Sequence, residues 1–454
     1  MDYRIEKDSM GEIKVPNTAL WGAQTQRSSQ NFLIGQEKMP LALIYALALV
    51  KKSAAKANEA IGKLDASISE AIQTAANKII AGEVNEQFPL SLWQTGSGTQ
   101  TNMNVNEVIA HLAAESKMSV HPNDHVNMSQ SSNDVFPTAI QVAAVQLIEQ
   151  TLFPVMKQVI KTLKALEAEN KTAIKIGRTH LQDATPVTFA QEISGWRSSF
   201  EHAYRMIELT LSELKQLPIG GTAVGTGLNA SKEYVELLIK NLNEETGYQF
   251  SEDLNKFHGL ANKDALVFTS GALKALAANA MKMANDVRWM ASGPRSGLGE
   301  ITIPANEPGS SIMPGKINPT QCEALTMIAI QVMGNDATIG IGASQGNFEL
   351  NVYMPVLAYN LIQSIELLAD GLSSFEKNCL VGMKANQEKM KQFLDQSLML
   401  VTSLNPHIGY DNGAKIAKKA FEEQMTLKEA ALATGLLTEK EYEAWVRPEN
   451  MLGE

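Results

Sequence analysis

Cysteine is scarce: Cys322 and Cys379 are the two among 454 residues. Their spacing fits neither a metal nor a redox motif, and two are too few for a disulfide framework, so a reducing compartment is expected. An excess of positive charge is also missing. Lysine and arginine number 39 against 49 aspartates and glutamates, a formal net charge of −10. No global field therefore draws nucleic acid or an anionic membrane, and an anionic ligand needs a local cation. No uninterrupted apolar run reaches the length of a bilayer span. The opening Met1-Asp2-Tyr3-Arg4-Ile5-Glu6-Lys7-Asp8 lacks the apolar stretch of a signal peptide, and a cytoplasmic location is expected. β-rich runs are nearly absent. What is present, 44% hydrophobic and 19% charged residues, suits a soluble chain with a sizeable core.

Residues 2–40 read as an irregular, extended lead-in around Trp21. Helical spacing begins near Leu41, resumes over residues 64–80, and returns at Val105 after a polar stretch, Trp93 to Asn104. From Val135 the residues Ile140, Ala144, Leu147, Ile148, Leu152, Val155, Val159, Leu163 and Leu166 step at threes and fours, the pattern of a long bundle helix, with a kink expected at Pro154. Further long helices are predicted over 262–289, 322–333 and 356–375, and short charged ones beyond about 390. The fold class is mainly α: a domain over 1–130, a central bundle of long helices over 131–388, and a small C-terminal domain over 389–454. The central helices carry small and apolar residues around much of their circumference, which predicts burial on several sides and subunit association.

Four polar interruptions break the helices. The richest is Gly309-Ser310-Ser311-Ile312-Met313-Pro314-Gly315-Lys316-Ile317-Asn318-Pro319. Backbone N–H groups in such a stretch can converge on an anion, Lys316 adds positive charge, and Asn318 can donate to a carboxylate oxygen. The alternative is a solvated Gly/Pro turn whose serines cap the following helix. The others are the 95–104 stretch, Ser129-Gln130-Ser131-Ser132-Asn133-Asp134, and Gly177-Arg178-Thr179-His180-Leu181-Gln182-Asp183-Ala184-Thr185-Pro186. In order and spacing the four resemble the fumarase/aspartase superfamily, and the 129–137, 177–186 and 309–321 stretches look like those of its class II fumarate hydratases. The resemblance runs over residues 2–454. It implies a three-domain subunit, a homotetramer with a twenty-helix core, active sites assembled from three subunits, and reversible hydration of fumarate to (S)-malate without metal or organic cofactor.

Removing a proton beside a carboxylate builds a dianion, so positive charge and donors must gather there; Lys316 and Asn318 are placed for this. By resemblance Ser310 is the base that takes the C3 proton and Ser311 binds a substrate carboxylate. His180 is the candidate on the opposite face, because an imidazole titrates near neutrality, and the family's pairing lands its acidic partner on Glu323. A structural histidine and a glutamate favouring the helix dipole are the bland alternatives. The carboxylate-binding positions carried over are Ser97, Thr99, Ser131, Ser132, Asn133, Thr179, Ser311, Lys316 and Asn318, with Asn102 and Asn104 read either as contacts or as helix caps. His121, Asn123 and Asp124 match a second, non-catalytic dicarboxylate site, or else form a surface turn. Met128 departs from the family, where many members have lysine. Two rivals remain: an aspartate ammonia-lyase, disfavoured by His180 where those enzymes carry glutamine, and a non-catalytic structural oligomer on the same fold.

Overall fold

The structure, a computed structural model, describes residues 2–114 and 118–453. Long helices dominate, as the periodicity predicts. In Leu41–Ala60, Leu43, Ile44, Leu47, Val50, Ala54 and Ala57 recur at threes and fours and are buried; each large one contributes roughly 1.5–3 kcal/mol. This helix packs against Ala66–Ile80 and against Ser132–Leu147. Asp264–Met290, Thr320–Ala343 and Met354–Phe375 are the other long helices expected from the sequence. The irregularity anticipated at Pro154 takes the form of a π turn, Ile148–Leu152, just before it; proline lacks the N–H that a regular ladder uses.

Two expectations need correction. The lead-in is not irregular: Tyr3–Asp8 and Gly11–Pro16 pair as an antiparallel hairpin, and Ala23–Asn31 is a helix. In Gly11–Pro16 the alternation puts Glu12 and Lys14 in solvent and buries Val15, whereas in Tyr3–Asp8 it is Tyr3 and Ile5 that are exposed and the polar Arg4, Glu6 and Asp8 that are half-buried. Residues 177–186 are not a plain loop, because Ile174–Thr179 and Gln182–Thr188 form a second hairpin. Two helices, Ser132–Glu169 and Thr320–Ala343, are long and apolar enough to cross a membrane by length and composition. The most apolar stretch of the first is 61% buried, as in a core helix, and that of the second only 28%. Met327, Ile330 and Ile341 stand exposed on the second.

The chain forms two compact units. Met1–Pro154, Ala203–Ala277 and Ile328–Ala369 make the first; Val155–His202, Ala278–Met327 and Asp370–Glu454 make the second. In the second unit Ile176 of the hairpin shares a buried cluster with Leu394, Leu404, Ile416, Leu427 and Leu437. The C-terminal helices therefore hold this hairpin. Their starts are fixed locally: Thr426 with Glu429, and Thr438 with Glu441, form capping boxes, each worth on the order of 1 kcal/mol.

Candidate active site

In the first unit, the helix Thr99–Ala114 begins inside the polar stretch rather than after it. Thr101, Asn102 and Asn104 lie on buried faces and their side chains bond outward: Thr101 Oγ1 donates to the Gln94 side-chain oxygen Oε1 at 2.8 Å, and Asn104 Nδ2 to the Gln87 backbone carbonyl at 3.0 Å. Hydropathy patterning misses this turn because a satisfied polar side chain can face the interior. Ser97 Oγ and Thr99 Oγ1 lie 2.9 Å apart at the helix start. Gly96 is required by space. A Cβ there would sit 1.3 Å from the Val352 carbonyl oxygen. Gly96→Ala is expected to lower stability by about 3 kcal/mol through this overlap, read as a lower unfolding midpoint in urea; an unchanged midpoint refutes the packing.

The second cluster of the same unit opens the helix Ser132–Leu147. Ser131 is its N-cap: its Oγ accepts from Asn133 N at 3.2 Å, while its own N–H donates to Asp134 Oδ1 at 2.9 Å. Asp134 is fully buried, and its Oδ2 accepts from Gly220 N and Thr222 N, both at 2.9 Å. Burial pushes its pKa up, opposed by these three N–H donors. Asn133 Nδ2 donates to the Ala223 carbonyl at 2.8 Å, so the Gly/Thr loop is tied to the helix start. Ser132 Oγ accepts from Asn102 Nδ2 at 3.3 Å. That bond joins the 97–104 and 131–134 stretches in one place.

In the second unit Thr179 ends one hairpin strand, and His180 and Leu181 are the two turn residues, with φ of 58° and 60°. A two-residue turn with both φ positive favours Asn-Gly; histidine and leucine there cost about 1–2 kcal/mol each. Such cost at an exposed position marks a residue kept for another purpose. Beneath the turn, Arg178 Nη1 donates to Glu300 Oε2 at 2.9 Å, and Lys175 Nζ lies 2.9 Å from Glu192 Oε2. Glu300 is fully buried, so the pair anchors the strand.

The Gly309 to Asn318 loop closes on itself. Gly309 N donates to the Lys316 carbonyl at 2.9 Å, and Asn318 Nδ2 to the Gly309 carbonyl at 2.7 Å. Ser310 Oγ accepts from Ile312 N at 3.2 Å and Met313 N at 3.0 Å, and Lys316 Nζ donates to Asn318 Oδ1 at 2.6 Å. Lys316, Ser311 and Glu323 are exposed, and Glu323 stands in the first turn of Thr320–Ala343. Among the described residues no hydrogen bond joins His180 to Glu323 or to the 309–318 loop.

A family model described as Lyase matches residues 11–334, and one described as Fumarase C C-terminus matches 400–453. The chain is 59% identical over 458 aligned residues to a class II fumarate hydratase of Bacillus anthracis, covering 100% of this chain and 99% of that one. It belongs to the class II fumarate hydratase family. The fold agrees. The crystal structure of a class II fumarase from Schistosoma mansoni superposes with a TM-score of 0.96 at 43% identity, covering 99% of each chain. A fumarate lyase:delta crystallin from Brucella melitensis gives 0.95 at 38% identity, covering 100% of each.

Several residues that support the candidate site carry no signal in the sequence. Asp134, Asn127 and Arg178 lie in or beside the motifs and Lys51 in the distant Leu41–Ala60 helix, but nothing in their spacing marks Asp134 and Lys51 as buried or Asn127 and Arg178 as half-buried hydrogen-bonding groups. Glu107 is a further case: its carboxylate accepts from Gly22 N, Gln24 N and Thr25 N at 2.8–3.1 Å and so caps Ala23–Asn31. His121, Asn123 and Asp124 border the π turn Pro122–Val126. His121 Nδ1 accepts from Asp124 N at 3.0 Å, and His121 and Asn123 line a cavity of about 590 Å³ with Lys7, His111 and Glu107.

Proposed function

We propose that this protein is a lyase that reversibly adds water to fumarate, giving (S)-malate by anti addition. The observation that carries the reading is the match to class II fumarate hydratases over the whole chain. The site geometry supports the roles. Two backbone N–H groups already point at Ser310 Oγ, and such donors favour an oxyanion on that atom, as a serine acting as a base requires. In the malate-to-fumarate direction Ser310 takes the C3 proton. The electron pair moves into the adjacent carboxylate, giving the aci-carboxylate, which Lys316 and Asn318 stabilise. It then returns to form the double bond as the C2 hydroxyl leaves, protonated by His180, with Glu323 orienting the imidazole. Ser97, Thr99, Ser131, Ser132, Asn133, Thr179 and Ser311 hold the two carboxylates.

The same reading carries a three-domain subunit, a homotetramer, and sites built by three subunits. In support, the 320–343 helix exposes Met327, Ile330 and Ile341, an apolar face of the kind subunits bury. The cavity beside His121, Asn123 and Asp124 is the proposed second dicarboxylate site. The proposed mechanism uses only the protein's own side chains and backbone N–H groups, so turnover on fumarate and malate is expected to be unchanged by EDTA. Loss with chelator and recovery with added metal refutes it, and ammonia release from L-aspartate faster than malate dehydration favours the aspartase reading instead.

A further inference from the structure

Lys51 is fully buried in the helix Leu41–Ala60, and the proposed chemistry gives it no task. Its Nζ donates to Asn127 Oδ1 at 2.8 Å. The same oxygen accepts from Asn102 Nδ2 at 3.1 Å and Asn106 Nδ2 at 3.2 Å, while Asn127 Nδ2 donates to the Gln130 carbonyl at 3.2 Å. One turn pair along the same helix face, Asn58 grips the next residues: its Nδ2 donates to the Met128 carbonyl at 3.1 Å and its Oδ1 accepts from Ser129 Oγ at 2.9 Å. Positions 51 and 58 are seven apart, two helical turns, so they present to one side.

These bonds have a direction. A lysine nitrogen donates, so Asn127 must turn its oxygen to Lys51 and its amide nitrogen to Gln130. Asn102 must then turn its NH2 toward Asn127. That same NH2 reaches Ser132 Oγ, which is left as acceptor. The Ser132 hydroxyl hydrogen has no acceptor among the described residues and is free to donate to an anion. Burial pushes the Lys51 pKa down to about 7, opposed by the Asp134 carboxylate; charged or neutral, it keeps an N–H for Asn127. The side-chain Oδ1 atoms of Asn102 and Asn106 are buried without partners, a cost accepted to aim both NH2 groups this way.

We infer that Lys51, through Asn127 and Asn102, is a positioning residue that fixes the Ser132 hydroxyl as a hydrogen-bond donor to the substrate carboxylate. The inference rests on the proposed fumarate hydratase activity. A double-mutant cycle tests it: Lys51→Met, Ser132→Ala and the double variant, with KM and kcat for fumarate. Lys51→Met is expected to raise KM about tenfold, the scale of one hydrogen bond to a charged group, with kcat within about threefold. In the Ser132→Ala background Lys51→Met should add little, since the hydroxyl it orients is gone. Asn102→Ala provides the same cycle if Lys51→Met does not fold. Equal KM increases with and without Ser132 overturn the relay while wild-type turnover stands; a wild-type protein inactive on fumarate overturns the functional reading itself.

Discussion

Replacing Ser310 by alanine is expected to lower kcat on the order of a thousandfold or more, the scale of losing a base that works in concert with other groups. The hydroxyl is the atom to which Ile312 N and Met313 N point, and alanine leaves both donors facing nothing. Fold and stability should change little, because the loop's closing bonds run through Gly309, Lys316 and Asn318. His180→Asn damages a different step. Departure of the hydroxyl suffers, while exchange of the malate C3 proton survives better than net turnover. The deciding measurement is isotope exchange at C3 against net fumarate formation in both variants. Near-normal exchange in Ser310→Ala with none in His180→Asn reverses the two roles.

Mixing the two dead variants should restore activity. If Ser310 and His180 of one site come from different subunits, co-refolding equal amounts of Ser310→Ala and His180→Asn chains regenerates about a quarter of the sites intact, by random assortment in a closed oligomer. His180 stands exposed on a turn and makes no hydrogen bond to Glu323 of its own chain, which is the condition under which its partners come from elsewhere. Activity that stays at the level of the separate variants, in oligomers shown to be mixed, removes the shared-site assembly and leaves the reaction untouched.

The mainly helical fold could be read from the sequence because runs such as 153–166 bury one apolar stripe, and a stripe leaves its period in the chain. The four polar stretches were legible for the converse reason: glycine, hydroxyl and amide residues stand where the period calls for apolar ones. The start of the helix at Thr99, however, was hidden. Thr101, Asn102 and Asn104 are polar yet buried, and only their partners, Gln94, Asn127 and Gln87, explain how that is tolerated. The hairpin at 174–188 was hidden too, since its strands are short and its turn carries His180 and Leu181 rather than the glycine or asparagine that announces such a turn.

By itself the sequence determined the helices, the loop from Gly309 to Asn318, and through its motifs the family. Local periodicity and residue chemistry are properties of neighbouring positions, and a chain read in order displays them. Only the tertiary structure decided which way the amides of Asn102 and Asn127 face, why Lys51 is buried, and that Glu300 anchors Arg178 beneath the histidine turn. Those outcomes depend on donors and acceptors brought together from distant parts of the chain, where each buried polar atom must find a partner or bear the cost of lacking one.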